Sequence, residues 1–211
     1  MQNNDFIRIS YLAKIKETNS EFDKSENAPV IVGSGYTIRG LEEALKEMNV
    51  GEKKIIEIPP EKAFGSRNHT LIKLIAITEF RRHGTKPVPG MFVEADNLRG
   101  RVLSVSSGRV RVDFNHPLAG KTLMYDLEIK NRIEKTEDKV KAIIEIYTRV
   151  KDKVNVKIID KDVEIEVPPL INSLFKKKIA DDVMKFLSLD KIKFVEIFEK
   201  PKPVEEKRET Q

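Results

Sequence analysis

Asp23 is one acid set among residues suited to line a pocket. It follows Phe22, and Tyr11, Thr37-Ile38, Leu41 and Phe64 complete a set of aromatic and aliphatic residues around it. Taken singly, each reads better as hydrophobic core. The set is an apolar enclosure with one acid, not a constellation for nucleophilic or acid–base catalysis. Other chemistries lack their parts. There is no Cys, hence no disulfide, thiolate metal site or thiol nucleophile. His69, His83 and His116 lie far apart, without metal-ligand spacing. Gly33-Ser34-Gly35 lacks the Gly and Lys-Ser/Thr of a phosphate loop, and no Gly-x-Ser-x-Gly is present. The paired acids Glu42-Glu43 and Asp181-Asp182 are expected on solvated helix faces. Hydrolase and kinase readings find no support.

The elements that must position this set follow from hydrophobic pattern. Residues 6–15 read as a strand, with aromatic and β-branched residues in loose alternation. A turn over 16–20, Glu21-Phe22-Asp23, a polar loop to Pro29 and a short strand Val30-Ile31-Val32 come next. Leu41, Leu45 and Met48 fall at i, i+4 and i+7, one face of a short helix that Asn49-Val50-Gly51 stops. Residues 53–58 alternate up to Pro59-Pro60.

From residue 66 the character changes. Residues 70–78 are almost all apolar. Residues 81–85 and 87–90 read as loops. Short strands follow at 91–94, 100–104 and 109–114, joined by turns at Asp96-Asn97 and Ser106-Ser107-Gly108. Residues 123–129 return to alternation. Beyond Thr136, Val140, Ile143, Ile144 and Tyr147 mark a helix. A hairpin is expected over 154–167, then a second helix with Leu174, Ile179, Val183, Phe186 and Leu187 as core, then a strand over 192–198. This α-β-β-α-β order predicts a compact α+β unit. Residues 201–211 are charged and poor in apolar residues, which predicts a disordered tail.

The net charge of +5 is uneven: residues 66–114 hold nine Lys/Arg against four Asp/Glu. A solvated surface is the plain reading, and attraction to RNA or the ribosome is the other. The first ten residues, MQNNDFIRIS, show no basic-then-apolar leader, and no apolar run is long enough to span a membrane. Cytoplasmic location, without a membrane partner, is the expectation.

Four ordered motifs carry a family resemblance. Gly35-Tyr36-Thr37-Ile38-Arg39-Gly40-Leu41-Glu42-Glu43-Ala44-Leu45 resembles the floor of the pocket in FKBP-type peptidyl-prolyl cis-trans isomerases. Asn49-Val50-Gly51-Glu52-Lys53 is similar to the family's turn after that helix. Pro59-Pro60-Glu61-Lys62-Ala63-Phe64-Gly65 is similar to its Pro-Pro-Glu-x-Ala-Tyr-Gly. Asn115-His116-Pro117-Leu118-Ala119-Gly120-Lys121-Thr122-Leu123 resembles the re-entry motif of SlyD-like members.

The resemblance spans residues 5–134 and implies an α+β fold: an antiparallel sheet wrapped on a short helix. It implies an isomerase domain of residues 1–65 plus 115–134 and an inserted, β-rich flap of residues 66–114 with chaperone function. Residues 135–200 would form the C-terminal α+β domain, similar to the extension of long archaeal members. By resemblance, Tyr11, Asp23, Ile38 (through its backbone N–H), Phe64 and Tyr125 are the catalytic positions. Phe22, Thr37, Leu41 and Leu118 line the substrate site, and Leu74, Ile75, Met91 and Phe92 of the insert hold unfolded chain. Two departures stand out. Phe64 replaces the usual Tyr, and Asn19-Ser20 replaces the usual Asp-Gly before Phe22-Asp23. No cofactor is implied. The Lys/Glu end, in place of a His/Cys-rich tail, gives no support to metal handling. The implied partners are unfolded or proline-containing polypeptides. Apart from the resemblance, Ile192, Phe194, Val195, Ile197 and Phe198 form an apolar set for which burial under the two helices is the plainer reading and a homodimer through the C-terminal domain the other.

Overall fold

A computed structural model describes residues 1–95, 98–151, 154–169 and 171–198. The expected Asp96-Asn97 turn and the expected tail fall outside the described residues. Three sheets are present, each with its own apolar cluster. No helix among the described residues is long and apolar enough to cross a membrane.

The first sheet holds β1 (Phe6–Ile15), β2 (Ser20–Ile31), β3 (Lys53–Ile58) and β8 (Leu123–Arg132) in the order β2-β1-β8-β3, all antiparallel. Leu123, Tyr125, Leu127 and Ile129 alternate inward along β8 and are all buried. They meet α1 (Arg39–Glu47), whose Leu41, Ala44 and Leu45 are buried. A Cβ on Gly40, in the first turn of α1, would lie 2.3 Å from the Ile58 side chain. Glycine there lets the helix seat directly on β3.

One expectation for this sheet fails. The polar segment up to Pro29 is not a loop but part of the continuous strand β2. That strand forms the sheet edge, so its side chains meet water, and pairing with β1 rather than side-chain pattern sets its conformation. The register slips between Ile9 and Tyr11, a bulge that re-aims the strand next to the candidate site. Asn19 takes φ +53 at the hairpin tip, which Asn tolerates better than most residues.

The second sheet joins β4 (Ile72–Ala76), β5 (Phe92–Ala95), β6 (Leu98–Ser106) and β7 (Arg109–Asp113) in the order β4-β7-β6-β5. Val102, Val110, Val112 and Phe114 form its small core. Residues 81–82, expected in a loop, belong instead to a short helix, α2 (Ile77–Arg82). Its Ile77 and Phe80 sit three residues apart on one face and pack on that core, which stabilises a helix too short to stand alone. Where this unit joins the first sheet, Asn68 and Asn115 clasp the two connecting chains. Asn68 N–H donates to Asn115 Oδ1 at 2.8 Å, and Asn115 Nδ2 donates to the Asn68 carbonyl at 2.9 Å. An Arg67–Asp113 ion pair lies beside them.

The C-terminal part runs α3 (Thr136–Thr148), β9 (Asn155–Ile159), β10 (Asp162–Val167), α4 (Ser173–Leu187) and β11 (Lys191–Glu196), the α-β-β-α-β order read from sequence. β10 pairs antiparallel with β9 and parallel with β11. The Asn172 side chain caps α4 by accepting the Phe175 N–H at 2.9 Å. Ile179 and Val183 are buried as expected, but Leu174 is 61% exposed. The last strand stops at Glu196, short of the expected end. Ile192 and Phe194 pack inward, whereas Ile197 and Phe198 are exposed. Phe6 and Ile31 of the first sheet join this C-terminal core, and Arg8 pairs with buried Glu145 at 2.6 Å.

Candidate active site

Three strands of the first sheet, the helix α1 and three connecting segments bring side chains to one apolar cluster, the bowl. Tyr11 comes from β1, Phe22 and Asp23 from edge strand β2, and Tyr125 from β8. Ile38 ends the loop after β2, and Leu41 lies on α1. Phe64 and Leu118 sit on the segments that flank the insert. Leu41 and Tyr125 are buried, and Tyr11, Phe22, Ile38, Phe64 and Leu118 are half-buried against the same cluster.

The geometry of the bowl is set by rings and one hydrogen bond. Tyr11 and Tyr125 have ring centroids 5.8 Å apart, and Phe22 meets Tyr125 edge-on at 6.1 Å. The Tyr11 hydroxyl donates to Asp23 Oδ2 at 2.9 Å, while Asp23 Oδ1 accepts the Lys24 N–H at 2.9 Å. Burial, reinforced by the Asp23 carboxylate, pushes the Tyr11 hydroxyl well above the ordinary tyrosine range. The same two causes push Tyr125 up to about 12. Both phenols are therefore neutral at physiological pH. Among the described residues the Ile38 N–H has no acceptor, whereas its carbonyl accepts from Leu41 and Glu42 as α1 begins.

The chain is 32% identical over 142 residues to a short-type peptidyl-prolyl cis-trans isomerase of Methanocaldococcus jannaschii, covering 60% of this chain and 90% of that one. It belongs to the FKBP-type peptidyl-prolyl cis-trans isomerases. A probable FKBP-type 16 kDa isomerase of Pseudomonas fluorescens is 39% identical over 114 residues, 53% of this chain and 75% of its own. The SlyD isomerase of Helicobacter pylori is 30% identical over 156 residues, 67% and 83% respectively. Two family models match further along: one described as FKBP26, IF domain, over residues 73–118, and one described as FKBP26 C-terminal over residues 136–199.

Against the expectations for an FKBP-type site, Tyr11, Phe22, Asp23, Ile38, Leu41, Phe64, Leu118 and Tyr125 come together. Thr37 stands at the rim, where its Oγ1 is buried without a hydrogen-bond partner. The insert residues divide. Ile75, Met91 and Phe92 line one cleft of about 730 Å³ with Phe80, Val93 and Phe114. Leu74, 63% exposed, lies on the opposite face of β4, because neighbours along a strand point to opposite sides.

Three residues escaped the sequence reading. His116 stacks flat on Phe64, with centroids 4.1 Å apart and planes 4° apart, and its Nδ1 accepts the Leu118 N–H at 3.2 Å. Glu42 is not on a solvated face. It is buried, and its carboxylate accepts the Gly33 N–H at 2.5 Å and the Gly35 N–H at 3.1 Å. Asp182 is buried as well. Glu43 and Asp181 are exposed or half-exposed as expected of a solvated face, so each acid pair splits between a buried and a surface member.

The Phe64–His116 stack gives the Phe64 ring a fixed plane without needing a hydroxyl. Phe64→Tyr is expected to leave peptide isomerisation equal or higher, since it keeps the stack and adds a donor at the bowl rim. A protease-coupled assay on an X–Pro peptide measures it. A collapse in rate would show that the bare phenyl edge is required.

Proposed function

We propose that the bowl accelerates rotation about X–Pro bonds in folding polypeptides, and that the insert holds unfolded chain for it. The observation that carries the first part is the Ile38 N–H, without an acceptor among the described residues, at the edge of an apolar bowl whose one acid is tied to Tyr11. Unaided rotation faces a barrier of about 18–20 kcal/mol and takes tens of seconds or more at an X–Pro bond. The planar amide owes that barrier to a charge-separated resonance form. Apolar walls from Phe22, Leu41, Phe64 and Tyr125 disfavour it and so favour the twisted bond with a pyramidal nitrogen. Asp23 holds the Tyr11 ring in place, and the Ile38 N–H donates to a substrate carbonyl next to the proline. Catalysis is complementarity to the twisted state.

The support for the insert is its cleft. Phe92 at 52% exposure and the half-buried Met91 and Ile75 give it apolar contact area. Arg99 lies over the Phe92 ring at 4.4 Å and Lys73 near the Phe114 ring at 5.6 Å, so basic side chains give these rings a water-compatible cover. This use of the basic excess favours polypeptide over nucleic acid as the occupant. A tethered capture site raises the effective concentration of an unfolded chain at the bowl, to the order of mM for a short link. Exchange of an X–Pro peptide, followed beside refolding of a proline-limited protein, tests both parts together.

A second copy of the chain is proposed to dock on the C-terminal part through Ile197 and Phe198, the members of the apolar set that remain 43% and 78% exposed. Sedimentation equilibrium of the full chain is expected to show a dimer that Phe198→Glu dissociates. A monomer at every concentration tested contradicts it.

A further inference from the structure

The loop that carries the Ile38 N–H is not held by its own domain alone. It contains Gly33 at φ +76 and Gly35 at φ +80, and it buries the Thr37 Oγ1 without a hydrogen-bond partner among the described residues. Ordering two glycines costs conformational entropy and burying that hydroxyl costs desolvation, and anchoring contacts offset both. Glu42 supplies one, through the Gly33 and Gly35 N–H groups. The second lies in the C-terminal part. Tyr36, two residues before Ile38, reaches across to α3 and α4. Its hydroxyl donates to Asp182 Oδ2 at 2.5 Å, and the Tyr147 hydroxyl donates to the same oxygen at 2.7 Å. The two hydroxyls lie 2.8 Å apart, and the rings meet edge-on at 5.9 Å. Asp182 is only 6% exposed, and its Oδ2 is held by these two protein hydroxyls.

We propose that Tyr147 and Asp182 are positioning residues for the isomerase reaction, fixing through Tyr36 the loop that presents the Ile38 N–H. The C-terminal part is then a component of the isomerase and not an appendage to it. The inference rests on the role proposed above for Ile38. Its physical basis is that a donor displaced by a fraction of an ångström no longer meets the carbonyl of the twisted bond, and small misplacements cost rate out of proportion to their size. Two other contacts keep the C-terminal part docked when this cluster is cut: the Arg8–Glu145 pair and the edge-on contact of Phe6 with Phe186 at 6.5 Å. Changes at the cluster should therefore act on the loop before they act on docking.

The test uses the full chain. Tyr147→Phe and Asp182→Asn are compared with Ile165→Val, which trims the C-terminal core at a residue 0% exposed and touches nothing in the loop. Asp23→Ala is run in the same series. The readouts are kcat/KM on a short X–Pro peptide, melting temperature, and the amide resonance of Ile38. Tyr147→Phe and Asp182→Asn are expected to lower kcat/KM by about five- to tenfold and to shift or broaden the Ile38 amide. Ile165→Val should lower the melting temperature comparably and keep kcat/KM within about twofold. Retained activity in both cluster variants, with activity lost in Asp23→Ala, overturns the inference and leaves the bowl intact. Equal loss in Ile165→Val also overturns it, because the effect would then be one of stability. Retained activity in Asp23→Ala overturns the assignment of the bowl itself, and this inference with it.

Discussion

Replacing residues 66–114 by a short Gly/Ser loop is expected to leave isomerisation of short X–Pro peptides within about tenfold, about 1.4 kcal/mol in the barrier. Catalysis of proline-limited refolding, and suppression of aggregation, should fall much further. The bowl keeps its walls in such a variant. Phe64 and His116 both lie outside the replaced segment, and their stack remains available. So does the bond from the Gly120 N–H to the Gly65 carbonyl at 2.8 Å, which ties the two flanking segments together. What disappears is the cleft of Ile75, Met91 and Phe92, together with the Asn68–Asn115 clasp that holds it at the rim. A short peptide needs only the bowl, whereas an unfolded protein must first be caught. Parallel peptide-exchange and refolding assays read the two separately. Equal losses on peptide and protein would make the insert part of the catalytic scaffold. No loss on protein would place capture elsewhere, with the C-terminal part the next candidate.

Asp23→Ala is expected to lower peptide kcat/KM by about ten- to a hundredfold with little change in melting temperature. Asp23 is exposed on an edge strand, so its removal leaves no cavity. The Tyr11 hydroxyl, however, loses its acceptor at 2.9 Å, and the ring that packs on Tyr125 loses its fixed position. Asp23→Asn retains an acceptor and should fall between the two. Tyr11→Ala should lower activity at least as far, at a larger cost in stability, because the ring is half-buried against the core. Full activity in both alanine variants would mean that this hydrogen bond shapes nothing the reaction uses.

The pocket was legible in the sequence because its parts sit in short contiguous motifs. Residues 35–45 announce both the helix, by the spacing of Leu41 and Leu45, and the loop before it. Alternation marks residues 123–129 as a strand, and the family resemblance singles out Tyr125 on it. What escaped depended on partners distant in the chain. Asp182 looks like a surface acid until Tyr36, 146 residues earlier, arrives beside it. Glu42 looks the same until the Gly33–Gly35 turn folds back onto it. β2 was misread because an edge strand pairs on one side only and leaves its side chains in water, so polar composition there carries no information about conformation. The helix at 77–82 straddles the end of the apolar run at Thr78 and is only six residues long, too short for period two and period 3.6 to be told apart. Leu174 has the spacing of a core residue, but it lies in the first turn of α4 and is 61% exposed.

The measurement that bears most directly on the central claim is NMR exchange on a short X–Pro peptide with the intact chain. It is run without metal or nucleotide, with the amide spectrum of the protein recorded in the same titration. Exchange between cis and trans peaks should appear on adding protein. The protein resonances that move should centre on Ile38, Tyr11 and Tyr125. Folded protein that leaves the exchange rate at its uncatalysed value, or whose peptide-induced shifts fall away from this bowl, would contradict the account.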